Sequence, residues 1–268
     1  MKKIVTLVTL VTLVTLVTLS SFAAGVGTTG AQFLRIPVGA RAAGMGGAFS
    51  ALADDITAIY WNPAGLAQLE QKEAVISYNS YFADTSAQFL GYGQKVGPGN
   101  LAGSVNMFGV TDIDKRSATA GDADTPDLGT FKTQDMAASL AWGHKLDLSG
   151  KNLNLGAALK YITSDLGDVS ASAVALDLGA IMPIGDPESI SGGSLQGSLA
   201  VLNIGGELKF TDEGDPLPLN IKPGVAWKGK VGERSLNAVL DADLLVNDSL
   251  NLINLGVEYW MIERLGLR

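Results

Sequence analysis

Leu153-Asn154-Leu155-Gly156-Ala157-Ala158-Leu159-Lys160-Tyr161 is the stretch whose reading decides the fold. Taken two by two, Leu153, Leu155, Ala157, Leu159 and Tyr161 share one side, and Asn154, Gly156, Ala158 and Lys160 the other. Side chains of an extended chain alternate between faces, so this is a strand with one apolar face and one polar or small face. The spacing recurs where Val174, Leu176, Leu178, Ala180 and Met182 oppose Ala173, Ala175, Asp177 and Gly179. It recurs again where Ile253, Leu255, Val257, Tyr259 and Met261 oppose Asn254, Gly256 and Glu258. The alternation begins at Glu73, with Ala74, Ile76, Tyr78 and Phe82 on one face, and weaker versions fall at 86–97, 100–110, 134–146, 194–203, 218–230 and 235–245.

Turn signals separate these segments. Gly97-Pro98-Gly99-Asn100, Leu148-Ser149-Gly150-Lys151 and Asn247-Asp248-Ser249 are tight, hairpin-like connections. Thr111–Thr130, with Asp112, Asp114, Asp122, Asp124 and Asp127, and Gly205–Pro218, with Asp212, Glu213 and Asp215, are longer and polar. Segments of about ten residues, with short turns at one rim and long loops at the other, fit an antiparallel transmembrane β-barrel. A β-sandwich also alternates. Aromatics near strand ends (Tyr78, Phe82, Trp142, Tyr161, Trp227, Tyr259) favour the barrel.

Composition narrows the chemistry. The chain has 268 residues, a net charge of −8, 47% hydrophobic residues and 17% charged ones. An acidic chain offers no footprint for nucleic acid. Cysteine is absent and histidine occurs once, which removes thiolate metal sites, cysteine nucleophiles and paired-histidine catalysis. No Gly-x-Ser-x-Gly, phosphate-binding loop or paired acid–base arrangement appears, so the reading is a non-enzyme without cofactor or metal. His144 alternates with Met136, Ala138, Leu140 and Trp142 and reads as a rim residue. Lys160, Asp177, Lys228, Asp241, Asp243 and Glu258 fall on the face that points inward.

The first segment reads as an address. Lys2 and Lys3 precede five copies of Val-Thr-Leu from Val5 to Leu19, then Ser20-Ser21-Phe22-Ala23, the layout of a secretory signal peptide over 1–23. With the barrel, it predicts export and a cell outer membrane location. Residues 24–72 lack strand periodicity and form a plug segment, and 73–268 form the barrel. Asn62 has the chemistry of an N-cap and Pro63 suits the first helical position. The candidate structural or gating residues are Gly39, Arg41, Gly44, Met45, Gly46, Gly47, Asp54, Asp55, Asn62, Pro63, Ala64 and Gly65.

The stretch Phe33-Leu34-Arg35-Ile36-Pro37-Val38-Gly39-Ala40-Arg41-Ala42-Ala43-Gly44-Met45-Gly46-Gly47-Ala48-Phe49 resembles the entrance motif of the PorV/PorQ family. Ala53-Asp54-Asp55, Tyr60-Trp61-Asn62-Pro63-Ala64-Gly65-Leu66-Ala67 and Gly256-Val257-Glu258-Tyr259-Trp260 extend the resemblance. Through Asn62, Pro63 and Ala64 the chain is also similar to the FadL fatty-acid transporters. The resemblance implies an all-β outer-membrane barrel of FadL type, with about fourteen strands and a short helical N-terminal plug. It implies a role in type IX protein secretion, holding cargo at the surface; the alternative is FadL-like passive transport of hydrophobic small molecules. A barrel without a dedicated ligand is a third possibility. Outer-membrane lipid, secretion-system components, cargo proteins or hydrophobic ligands would be the partners. The alternation supplies only about ten strands, with another beginning at Leu265, so the barrel is expected to be incomplete at its C-terminus.

Overall fold

The computed structural model describes residues 27–115, 129–148, 150–184, 193–262 and 264–268. The signal-peptide reading of 1–23, and Asp122, Asp124 and Asp127, lie outside the described residues.

Among the described residues, the N-terminal part contains short helical turns: Gln32–Arg35, Ala40–Gly44, Ala58–Trp61 and Pro63–Gln68. Glycine and proline punctuate them, and none is long enough to be stable alone, so their order comes from packing. From Glu73 onward the chain is strand: β1 (Glu73–Ser80), β2 (Thr85–Val96), β3 (Gly99–Asp114), β4 (Thr130–Leu148), β5 (Lys151–Leu166), β6 (Ser170–Ile184), β7 (Ser194–Gly205), β8 (Glu207–Lys209), β9 (Gly214–Pro216), β10 (Asn220–Val231), β11 (Arg234–Leu245), β12 (Leu250–Ile262) and β13 (Leu265–Leu267). Eleven of them form one antiparallel sheet in the order β1-β2-β3-β4-β5-β6-β7-β10-β11-β12-β13, while β8 and β9 make a separate hairpin inside the 205–218 loop.

Period two in the sequence becomes period two in burial. Along β6, Ala171, Ala173, Ala175 and Asp177 are buried while Ser172, Val174, Leu176 and Leu178 are exposed. The buried face carries the N-terminal segment. Met45, Ala48, Phe49, Ala51, Leu52, Ala53 and Ala58 lose all solvent contact there and form the main core with Ile59, Leu66, Phe89, Ala102, Ala141, Ala158, Ala226 and Val239. A smaller core joins Phe33 and Leu34 to Ile162, Leu208 and Leu217, which gives the β8–β9 hairpin its place.

Glycine sets how closely the segment approaches. Gly143, Gly156 and Gly179 are direct cross-strand partners on β4, β5 and β6, flanked by Asn100 of β3 and Ala200 of β7. The Asn62–Leu69 stretch lies along this trough. A Cβ at Gly179 would overlap Asn62 Oδ1, one at Gly156 would overlap the Pro63 carbonyl, and one at Gly143 would stand 2.6 Å from Leu66 Cβ. Asn100 Nδ2 closes the far end by donating to the Leu66 carbonyl (2.7 Å) and the Leu69 carbonyl (3.2 Å).

Three expectations are corrected here. The sheet is open and is not the transmembrane barrel of FadL type, incomplete at its C-terminus, that the sequence implied. Among the described residues pairing runs between successive strands of the sheet, and none joins β1 to β13. The helical plug is instead a series of helical turns laid on one sheet face as part of its core. The outer-membrane location was read from the signal peptide together with a membrane-spanning barrel, and without that barrel it is withdrawn. Among the described residues, no helix is long and apolar enough to cross a membrane.

Candidate functional site

The covered face of the sheet is charged. Lys160, Asp177, Lys222, Asp241, Asp243 and Glu258 are all buried there, at positions that alternate with the apolar outer residues. Buried charge is tolerated only when paired and hydrogen-bonded, and each of these is met by a neighbouring strand or by the N-terminal segment.

Glu258 on β12 is the most heavily ligated. Arg41 grips it with two parallel bonds, Nε to Oε1 at 2.8 Å and Nη2 to Oε2 at 2.9 Å. Arg268 Nε (2.7 Å), Asn237 Nδ2 (3.0 Å) and Trp260 Nε1 (2.9 Å) also donate to it. Burial by itself would raise this carboxyl, but the two guanidinium groups and Trp260 outweigh that and take its pKa down to about 2. Burial would likewise lower Arg41, yet Glu258 and Asp54 raise it above its ordinary value. The same guanidinium donates to Asp54 (2.5 Å) and Asp55 (3.2 Å), and Lys228 Nζ stands 3.5 Å from Asp54. Desolvation is the larger influence on Lys228 and lowers its pKa against the pull of Asp54.

Asp241 on β11 receives the backbone of the segment. Its Oδ2 accepts from Phe49 N (2.8 Å) and Ser50 N (2.7 Å), and its Oδ1 from Ser50 Oγ (2.8 Å), which also meets Ser198 Oγ at 2.9 Å. Desolvation still raises its pKa against these bonds and the charge of Lys222. Lys222 pairs with Asp243 at 2.8 Å and lies 4.9 Å over the Trp61 ring. Lys160 pairs with Asp177 at 2.7 Å and donates to Asn203.

The residues singled out in the sequence do not form one site. Arg41, Asp54 and Asp55 come together around Glu258. Asn62 sits 12 residues from Ser50 and donates to its carbonyl at 3.0 Å, while its Oδ1 accepts from Ala64 N at 3.1 Å as the cap of the Pro63–Gln68 turn. Pro63 and Ala64 rest on Gly156, and Gly65 abuts Ala53 and Ala58. Gly39, Gly46 and Gly47 have φ of 84°, 63° and 79°, values that favour glycine, and Gly44 faces the Arg268 side chain. Met45 is fully buried over Gly256.

Sequence reasoning missed Ser50, Ser198, Lys222 and Asn237, and it missed that close approach depends on the strand glycines. Their signal was present, since Gly143, Gly156 and Gly179 all fall on the non-apolar face. His144 donates to or accepts nothing from a carboxylate; its Nδ1 lies 2.7 Å from the Pro98 carbonyl. Among the described residues, no group of three or more His, Asp or Glu is placed to hold a metal ion.

Hollows open around this network. One of about 970 Å³ is bordered by Asp54, Glu70, Glu73, Lys145, Asn154 and Gln196. Another of about 980 Å³ lies between Arg41, Lys228, Arg234 and Trp260, and shares Asp54 with the first. A third, about 530 Å³, runs between Leu34, Tyr60, Trp61, Leu202 and Lys222.

A family model described as "Uncharacterised protein family (UPF0164)" matches residues 16–167, more than half of the chain. A UPF0164 protein of Treponema pallidum (strain Nichols) is 26% identical over 179 residues, which are 66% of this chain and 44% of that relative. The chain therefore matches less than half the length of this relative. These matches replace the PorV/PorQ and FadL resemblance, and with it the expectations of type IX secretion and of hydrophobic-solute transport. The small-residue segment and the Asn62-Pro63 cap that suggested that resemblance lie within the matched residues, and the chain is a member of the uncharacterised protein family UPF0164.

Proposed function

We propose that this chain is a non-enzymatic scaffold whose uncovered sheet face rests on a lipid surface without spanning it. The supporting observation is the continuity of that face. Ile76, Leu90, Val105, Ala138, Tyr161 and Val174 are successive cross-strand partners from β1 to β6. A second row runs Ala74, Tyr92, Gly103, Leu140, Leu159, Leu176, and a third runs Met182, Gly197, Val225, Leu240, Leu255 across β6, β7, β10, β11 and β12. Not one residue in these rows is charged, and Ile76 (82%), Leu255 (70%), Leu140 (59%) and Leu159 (57%) are open to solvent.

Exposed apolar area of more than a few hundred Å² marks an interaction surface. Its width argues for a fluid partner. Rows crossing ten strands at about 4.8 Å spacing extend over roughly 45 Å, wider than the roughly 30 Å breadth of a standard protein interface patch of about 800 Å². The opposite face is covered, and most of its buried charges hold the N-terminal segment, which speaks for a structural and not a catalytic role.

Co-sedimentation with phosphatidylcholine vesicles tests the reading. The wild-type chain is expected in the vesicle pellet, and Leu159→Asp with Leu255→Asp should lower partitioning at least about ten-fold, since each charge costs about 2.5–3.5 kcal/mol in hydrocarbon. A wild-type chain that stays monomeric and vesicle-free without detergent overturns it.

A further inference from the structure

We infer that the hollow bordered by β10, β11 and β12 is a phosphate-binding site. The chain is acidic, with a net charge of −8, yet this hollow of about 980 Å³ sets Arg41, Lys228, Lys230 and Arg234 against only Asp54 and Glu233. Arg41 is already committed to Glu258, Asp54 and Asp55. Lys228 has Asp54 alone, at 3.5 Å, and Asp54 is shared with Arg41. Lys230 and Arg234 carry no ion pair or side-chain hydrogen bond among the described residues. Lys228, Lys230 and Arg234 thus border one cavity with two carboxylates, of which Asp54 is shared with Arg41.

The register aims the two lysines together. Lys228 and Lys230 are two residues apart, so they leave β10 on the same face, and their cross-strand partners Asn237 and Ser235 stand on that face of β11. Arg234 follows the turn of the same hairpin, opposite Val231, and borders the hollow from its rim. The Lys230 ammonium, the Arg234 guanidinium and the Ser235 hydroxyl have no side-chain acceptor among the described residues, and Lys228 has only the shared Asp54 at 3.5 Å. A phosphate supplies several acceptor oxygens with one to two negative charges, which matches them better than a monovalent carboxylate. Desolvation of Lys228, which lowers its pKa, is relieved by an incoming anion. Apolar Ile262 lines the same hollow and is 62% exposed. A phosphate ester therefore meets both its charged and its apolar part here, whether it comes from a lipid headgroup or from a free metabolite.

The site stands independently of the outer-face reading, and the test separates them. The full chain is titrated calorimetrically with inorganic phosphate and glycerol 3-phosphate, and separately with phosphatidylcholine and phosphatidylglycerol vesicles. Saturable binding of either free phosphate, or tighter binding of phosphatidylglycerol than of phosphatidylcholine, is expected to weaken at least about ten-fold in Lys230→Gln/Arg234→Gln. Both side chains are exposed, so that variant keeps the fold; Lys228→Gln is the partner variant. Response to the free ions identifies a free phosphate ligand, and response to phosphatidylglycerol alone identifies a headgroup. The inference is overturned when none of the four probes shows phosphate-dependent binding, or when the double variant binds as the wild type does. Leu159→Asp should abolish phosphatidylcholine binding and leave free-phosphate binding intact.

Discussion

Glu258→Gln removes one charge from the centre of the largest ion-pair cluster and leaves the shape almost unchanged. In the wild type this carboxylate, fully buried, accepts from Arg41 twice, from Arg268, from Asn237 and from Trp260. Its pKa falls from the ordinary 4.5 to about 2. A shift of that size corresponds to about 3 kcal/mol of stability at neutral pH, at about 1.4 kcal/mol per unit. A glutamine amide cannot accept at its nitrogen, so one oxygen's worth of donors meets a donor. Arg41 retains Asp54 and Asp55, which keeps the loss near the lower end of the about 3–5 kcal/mol expected for breaking a buried pair. Urea unfolding followed by tryptophan fluorescence, where about 3 kcal/mol per molar is a reasonable slope, should show the midpoint lowered by about 1 M at pH 7. The pH dependence has a definite sign. A depressed carboxyl stabilises above its unfolded value and loses that contribution as pH falls from about 4.5 toward 2, so the gap between wild type and variant must close over that window. Equal midpoints at pH 7, or a gap that persists unchanged at pH 2.5, would refute the assignment of Glu258 as the anchor of the segment.

Other substitutions probe the remaining contacts by the same unfolding assay. Asp241→Leu strands the amides of Phe49 and Ser50 and should cost about 2–6 kcal/mol, at about 1–3 per buried donor, whereas Asp241→Asn keeps an acceptor and should cost less than about 1.5. Because burial raises the Asp241 carboxyl, the stability tied to its protonated form is lost as pH rises, so Asp241→Asn should improve relative to wild type between pH 4 and pH 7. Gly156→Ala drives a methyl into the Pro63 carbonyl and should cost about 1–3 kcal/mol or more; Gly103→Ala, with only the Ser139 carbonyl at 3.8 Å, should be nearly silent. Asn62→Ala removes both a cap and the partner of the buried Ser50 carbonyl, and should cost about 2–4 kcal/mol when the two losses combine.

Strands were legible because alternation is a local property. The apolar set at Leu155, Leu159, Leu176 and Leu178 is exposed and the opposite set, with Lys160 and Asp177, is covered, as an unbroken period of two requires. The shortfall of strands was legible by counting, but the shape of the sheet was not, since it depends on accumulated twist and not on any residue pair. The family was misread for a related reason. Closely spaced glycines and an Asn-Pro cap are what any irregular segment needs to lie against a sheet, so Gly44, Gly46, Gly47 and Asn62-Pro63 report packing more than kinship. The ion pairs were half visible. Glu258 and Asp241 stood out as charges on a strand's small-residue face, but their partners Arg41 and Ser50 lie 217 and 191 residues away in the chain, a separation that local pattern does not bridge.

Alternation also leaves an ambiguity during folding that the glycine trough resolves. A one-residue slip between β4, β5 and β6 would turn every leucine toward the core and is rejected at once by burial. A two-residue slip is subtler, because polar and apolar faces still match. It would bring Asn154 or Ala158 of β5, or Asp177 or Ile181 of β6, to the place now held by Gly156 or Gly179. Any of these would push the Asn62–Leu69 stretch off the sheet. The short N-terminal turn, made before any strand, thus acts as a gauge laid across four hairpin-linked strands: it seats only when all of them are in step, and it converts a cumulative counting error into a single steric rejection.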